Sequence, residues 1–251
     1  MARQTVTRKS KQEEGGGRVV KEKFQEQRDQ LPPIVAKTQK QKEYIRLLND
    51  PNIQVVLALG FHGSGKTFCA SVVAADKFRK NQIDRIIVAR PYVQTGRTSG
   101  YKPGSSLEKL YPYVRNVLDT VKSRIGTAAY EIALRDGQGG EIEVQEVESI
   151  RGRSFDERSY LLLDEGQQTT PDEMKSIVTR ISDQCKLVIC GDIRQKDIKG
   201  ESGMEWLLSF AKRHNLEGIG IVDFNDPEDI VRGGFVKSVA IGMMEDAKYG
   251  V

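Results

Sequence analysis

The chain has 251 residues, 38% hydrophobic and 29% charged, with a formal net charge of +4, the profile of a globular protein able to bury a full core. No run of eighteen apolar residues occurs and the N-terminus (MARQTVTRKSKQEEGGG) lacks the apolar stretch of a secretory signal, so neither a membrane span nor export is expected, and the expected location is the cytoplasm. Three cysteines without a CxxC pair, and only two histidines, argue against a Cys/His metal site.

Eight Lys/Arg and five Asp/Glu fall in residues 1–30, so most of the net charge sits in a polar, Gly-containing tail. Residues 1–34 are expected to be a disordered basic tail, and 35–251 one domain with a nearly neutral body. From Lys37 a helical pattern begins (TQKQKEYIRLL) and ends at Asn49-Asp50-Pro51-Asn52. Residues 53–59 (IQVVLAL) read as a strand buried on both faces, followed by a helix from Lys66 to about Lys80 and a strand at Arg85–Ala89. Residues 91–106 read as a loop, Leu107–Ile125 as a helix, and Glu141–Val147 alternates as an exposed strand would. Buried strands at Tyr160–Leu163 and Lys186–Cys190 lead into helices at 171–182 and 202–212. A strand at Ile219–Phe224 and a helix over about 235–247 complete the chain. This alternation predicts an α/β fold with a mainly parallel sheet and helices on both faces.

Three motifs sit at the ends of predicted strands. The first, GFHGSGKT, comprises Gly60, Phe61, His62, Gly63, Ser64, Gly65, Lys66 and Thr67. Its glycines let backbone N–H groups turn around phosphate oxygens at a helix N-terminus; Lys66 would reach the β/γ-phosphates and the Thr67 hydroxyl would ligate Mg²⁺. The second, YLLLDEGQ, ends an apolar strand in Asp164, suited to hold Mg²⁺, and Glu165, suited to accept a proton from water. The third, KLVICGDIRQKD, places Gln195 where an amide can sense a γ-phosphate. Upstream, Gln41 could pair with adenine through its amide or be a solvated helix residue; no Asn-Lys-x-Asp guanine motif occurs, so ATP is expected over GTP. The motifs thus predict a three-layer P-loop NTPase.

The connecting segments carry a family likeness. They are Thr38-x-x-Gln41-Lys42, ARPYVQTGRTSGYKPG at 89–104, SIRGRSFDERSYLLLDEGQQTTPDEMKSIVTRI at 149–181, GDIRQKD at 191–197 and DFNDPEDIVRG at 223–233. Over roughly 35–247 the chain resembles the PhoH family of P-loop ATPases. That resemblance implies a RecA-like, ASCE-type core, similar to the first domain of superfamily-one helicases, and ATP hydrolysis. The family loop usually reads Gly-Pro-Ala-Gly-Thr-Gly-Lys-Thr, so Phe61, His62 and Ser64 depart from it, as does Arg194 where Thr is common. Thr95-Gly96-Arg97 stands where Ala-Gly-Glu is usual.

Hydrolysis also needs a cation on the developing charge, and Arg151, Arg153, Arg180 and Arg232 are the candidates. Arg232 is favoured, supplied by a neighbour in a homo-oligomeric ring such as a hexamer; the alternative is a surface arginine. Segment 90–115 interleaves Arg90, Tyr92, Arg97, Tyr101, Lys102, Tyr111, Tyr113 and Arg115, suited to single-stranded RNA or DNA, although packing would also explain the tyrosines. Two functions compete: an ATP-driven remodeller of single-stranded nucleic acid, and an ATP-dependent switch or assembly factor acting on a protein. Residues 1–34 lack the acidic cluster of a nuclease.

Overall fold

The computed structural model describes residues 31–91, 106–134, 140–150, 152–155 and 158–249. Residues 1–30, residues 92–105 with Tyr92, Arg97, Tyr101 and Lys102, and Arg151 lie outside the described residues, and with them the expected tail and most of the expected loop at 91–106.

Local chemistry sets the element boundaries. Helix α1 (Gln39–Asn49) starts at Thr38, whose side chain accepts the Gln41 N–H at 3.1 Å. Strand β1 (Val55–Gly60) runs into the phosphate loop and then α2 (Lys66–Arg79). After β2 (Arg85–Arg90) come α3 (Ser106–Ile125) and α4 (Thr127–Ala133), then β3 (Ile142–Glu146), α5 (Val147–Ile150) and β4 (Ser159–Leu163). Helix α6 (Pro171–Val178) opens with a capping box between Thr170 and Glu173. It ends before the expected residue 182, because Ile181 leaves the helix to bridge Phe155 and the Arg180 carbonyl accepts the Phe155 N–H at 2.9 Å. Strand β5 (Lys186–Gly191), α7 (Gly203–His214), β6 (Ile219–Phe224) and α8 (Gly234–Tyr249) follow.

The described strands form one six-stranded sheet in the order β3-β2-β4-β5-β1-β6, and all its pairs are parallel. Strand β5 lies between β1 and β4, the interposed strand expected of an ASCE-type P-loop fold. One face is covered by α1–α4 around Tyr44, Val73, Val114 and Tyr130; the other by α5–α7 around Ile150, Met174 and Leu207. The chain is therefore the expected three-layer P-loop NTPase α/β fold. Because the sheet is parallel, β1, β2, β4 and β5 end on one edge, and the order reverses at β1, where α/β sheets open a crevice.

The expectation of an exposed strand at 141–147 fails. Strand β3 is an edge strand, but Ile142 through Gln145 are all buried. Its alternating polar residue Glu143 is fully enclosed and ion-paired with Arg153 and, at 3.2 Å, with Arg85. Alternation reports which face is polar; it cannot report that two arginines will cover that face.

Candidate nucleotide site

The phosphate loop folds as its glycines require. Gly60, Gly63 and Gly65 all have positive φ, and a Cβ on Gly60 would lie 2.3 Å from the Phe224 carbonyl oxygen. The Lys66 Nζ folds back to donate to the carbonyls of Gly60 (2.6 Å) and Phe61 (2.8 Å) and to the Ser64 hydroxyl (3.2 Å). Burial pushes the Lys66 ammonium below its ordinary pKa, with the nearby carboxylates Asp192, Asp164 and Glu165 opposing the shift.

Strand β4 brings its carboxylates to the same edge. Thr67, at the start of α2, donates its hydroxyl to Asp164 Oδ1 at 2.8 Å. Asp164 Oδ2 takes a 3.2 Å bond from Arg90 Nη1, and the same guanidinium stands 3.6 Å from Glu165 Oε1. Burial pushes the Asp164 carboxyl up, with Arg90 opposing that shift. Glu165 sits in the left-handed backbone region at φ 55, which a non-glycine residue occupies at a cost. Its Oε2 accepts a 2.5 Å bond from Gln167 Nε2, while Gln167 Oε1 accepts the Asp192 N–H at 3.2 Å.

A cavity of about 650 Å³ connects these groups; Lys66, Thr67, Asp164, Glu165, Asp192 and Arg232 line it, as do Gln41, Val35 and Phe68. That volume suits a nucleotide. Gln195 lies in an adjoining cavity of about 490 Å³ that shares His62, Arg90, Tyr113 and Glu165, and its amide donates to Asp192 Oδ2 at 2.8 Å. His62 is exposed at the loop tip between the two cavities.

Other expected residues take positions that change their reading. Gln41 is buried, its Nε2 donating to the Ser64 carbonyl (2.8 Å) and its Oε1 accepting from the Lys37 N–H (2.8 Å). The amide thus ties the loop, through Ser64, to the segment that leads into α1, and it keeps one N–H and one lone pair for a further partner. The Phe61 ring is buried under the Arg194 guanidinium, whose carbon lies 3.5 Å from the ring centroid. Of the candidate arginines, Arg153 is committed to Glu143, and Arg180, just past the end of α6, donates back to Ser176 on that helix. Arg232 stands over its own loop: a Cβ on Gly63 would meet its Cδ at 3.3 Å, and the Val231 N–H bonds the Gly63 carbonyl at 3.0 Å.

Sequence reasoning missed Arg90 and Gln167 as site residues. The sequence places Arg90 in the segment suited to nucleic acid, and in the fold it stands beside Asp164 because β2 pairs with β4 in the register Ala89↔Leu163. The DEGQ motif could have flagged Gln167, two residues beyond Glu165.

Comparison with known proteins identifies a family. The PhoH-like protein family profile matches residues 33–243. The PhoH-like protein of Bacillus subtilis (strain 168) is 33% identical over 208 residues, covering 82% of this chain and 62% of that protein. Protein PhoH of Escherichia coli (strain K12) is 34% identical over 202 residues, covering 80% of this chain and 55% of that protein. The chain thus spans only about half to three-fifths of the length of these curated relatives. The crystal structure of the UvsW helicase from Bacteriophage T4 aligns with 81% of this chain and 67% of its own at 14% identity and a TM-score of 0.47, too distant to bear on activity. With a family match across most of its length and a phosphate loop facing an Asp-Glu pair, this chain belongs to the PhoH-like protein family.

Proposed function

We propose that the chain binds ATP with Mg²⁺ and hydrolyses it, coupling that cycle to single-stranded nucleic acid, RNA foremost. The observation that carries the hydrolysis reading is the Thr67–Asp164 hydrogen bond of 2.8 Å at the mouth of the loop, with Glu165 next in the chain. A hydroxyl and a carboxylate converging in this way are hard oxygen donors of the kind that Mg²⁺ takes, and Thr67 and Asp164 would hold it. Among the described residues no cluster of three or more His, Cys, Asp or Glu could hold a metal, so the remaining ligands would be phosphate and water oxygens. Bound there, Mg²⁺ supplies charge neutralisation on the phosphates.

The chain's own groups do the rest. Loop N–H groups and Lys66 would bind the phosphates, Lys66 exchanging its carbonyl partners for phosphate oxygens. Glu165, fixed by Gln167 and faced by Arg90, would orient water and take its proton. Gln195 would sense the γ-phosphate from the adjoining cavity, and Arg232 would neutralise developing charge from above Gly63. The nucleic-acid part rests on exposed Tyr111 on α3 with Arg115 one turn on, suited to stacking and phosphate contact, and on Tyr113, which is exposed at the cavity mouth beside Arg90.

The second reading, an ATP-dependent switch or assembly factor acting on a protein partner, draws on α8. There Phe235, Val236, Val239 and Met243 are all exposed. ATP turnover measured with and without single-stranded RNA or DNA at low salt, beside a native mass measurement, separates the two. Stimulation by the strand supports the first reading; turnover indifferent to any strand removes it.

A further inference from the structure

Arg194 touches none of the groups assigned to phosphate chemistry directly, yet its contacts converge on what holds them. Its flat face lies on the buried Phe61 ring, 3.5 Å from guanidinium carbon to centroid. Its Nε donates to Asp192 Oδ1 at 3.0 Å and its Nη2 to Asn225 Oδ1 at 2.6 Å. Asp192 is only 3% exposed and shares itself three ways. Besides Arg194, its Oδ2 takes the Gln195 amide and its N–H goes to Gln167, which in turn holds Glu165. On the opposite side, the Phe61 carbonyl receives both Lys66 Nζ (2.8 Å) and the Ser64 hydroxyl (2.9 Å). Phosphate-binding and water-handling parts of the site therefore meet at one side chain.

We propose that Arg194 is a positioning residue, a clamp that fixes the phosphate loop, through Phe61, against the Asp192 hub that carries Gln195 and, through Gln167, Glu165. This rests on the hydrolysis reading above. Two physical roles are combined in the clamp. As a cation it neutralises a buried carboxylate that faces the cavity where a triphosphate would bring more negative charge. As a planar fork it stacks on an aromatic ring while donating sideways to two acceptors, a geometry that lysine cannot reproduce. Loss of the fork would let the loop shift relative to Glu165, and displacements of an ångström at a reacting centre are expensive in rate.

The test is a cycle of Arg194→Ala, Phe61→Ala, the double variant and Arg194→Lys, read as kcat, KM and affinity for a fluorescent ATP analogue, with melting curves to establish folding. Arg194→Ala should lower kcat about tenfold or more, and Phe61→Ala should lower it less. The double variant should be no slower than Arg194→Ala, since both remove one contact. Arg194→Lys should recover affinity, because Asp192 regains a counter-ion, while leaving kcat low. Additive losses, or an Arg194→Ala protein with wild-type kcat, overturn the proposal; so does full rescue of kcat by lysine. Should Arg194→Ala not fold, Arg194→Lys and Phe61→Ala still decide it, because a merely structural role lowers the melting temperature and spares kcat in the folded fraction. A wild-type protein that does not hydrolyse ATP refutes the hydrolysis reading instead. The affinity cycle then judges the clamp alone, and additive affinities would overturn it.

Discussion

Two arginine–carboxylate clusters occupy β3 and β4, the strands on either side of β2, and have opposite characters. On β3, Glu143 is fully buried and enclosed by Arg85 and Arg153, with Arg153 also lying over the Phe155 ring. At the end of β4, Asp164 and Glu165 share Arg90, but they also line a large cavity opposite Lys66 and Thr67. Residue types are the same in both. What separates them is the opposing surface: side chains close the first cluster, whereas the second faces a loop of backbone N–H groups. A buried ion pair is weak evidence of either stability or chemistry until one asks what it faces.

Substitutions should break that comparison along the same line. The largest effect is expected from Lys66→Ala, which removes the ammonium proposed to bind phosphate: turnover should fall about 10³-fold, as for loss of a preorganised charge-stabilising donor, with little change in melting temperature because Lys66 is buried at a cost. Next, Glu165→Gln should keep ATP affinity while lowering kcat by about 10²–10⁴-fold, the range for general-base loss; retained turnover would move the base elsewhere. On the closed cluster the readout inverts. Glu143→Ala leaves two arginines without their shared carboxylate and should cost about 3–5 kcal/mol of stability by denaturant titration, while turnover per folded molecule stays near wild type. A kcat loss there would show that the two clusters are coupled.

The smallest effect concerns a third basic group, Lys186, which donates to the carbonyls of Leu47, Leu48 and Asp50 at the end of α1. Burial, with Lys77 adding to it, brings its pKa down to about 8. As pH rises from about 8 toward the ordinary 10.5, the unfolded chain holds a proton at this site that the folded chain has released, so this group adds stability with rising pH. Wild type should therefore gain melting temperature relative to Lys186→Met across that window, and a parallel pH profile for the two would refute the shift.

How much of this was legible in the sequence follows from the range of the interactions. Motifs read along the chain, such as Gly60–Thr67 and Asp164-Glu165, came through because strand–loop–helix context is local. Their meeting was inferable from the parallel α/β pattern, and the Thr67–Asp164 bond spans 97 residues. Contacts fixed by strand register were not legible: Arg90 reaches Asp164 only because β2 adjoins β4. The sequence leaves Gln41 open between adenine and solvent, and it gives no sign that the amide also donates to the Ser64 carbonyl. Phe61 and Arg194 had each looked like an isolated departure from the usual PhoH pattern; the fold stacks one on the other. Nothing in their spacing announces that contact.

Tyr44 extends the argument below the site. Its ring meets Phe224 edge-on at 5.6 Å, its hydroxyl approaches Cys190 Sγ at 3.4 Å, and the Phe224 carbonyl abuts Gly60. One aromatic side chain thus seats α1, β5 and β6 beneath the loop without lining the cavity. In a mutational screen scored on activity alone, position 44 would fall among the active-site residues, and a map of sensitive positions would overstate the chemical centre by including its foundation. Pairing every activity score with a measurement of protein abundance would separate the two, and Tyr44 is where that correction matters most.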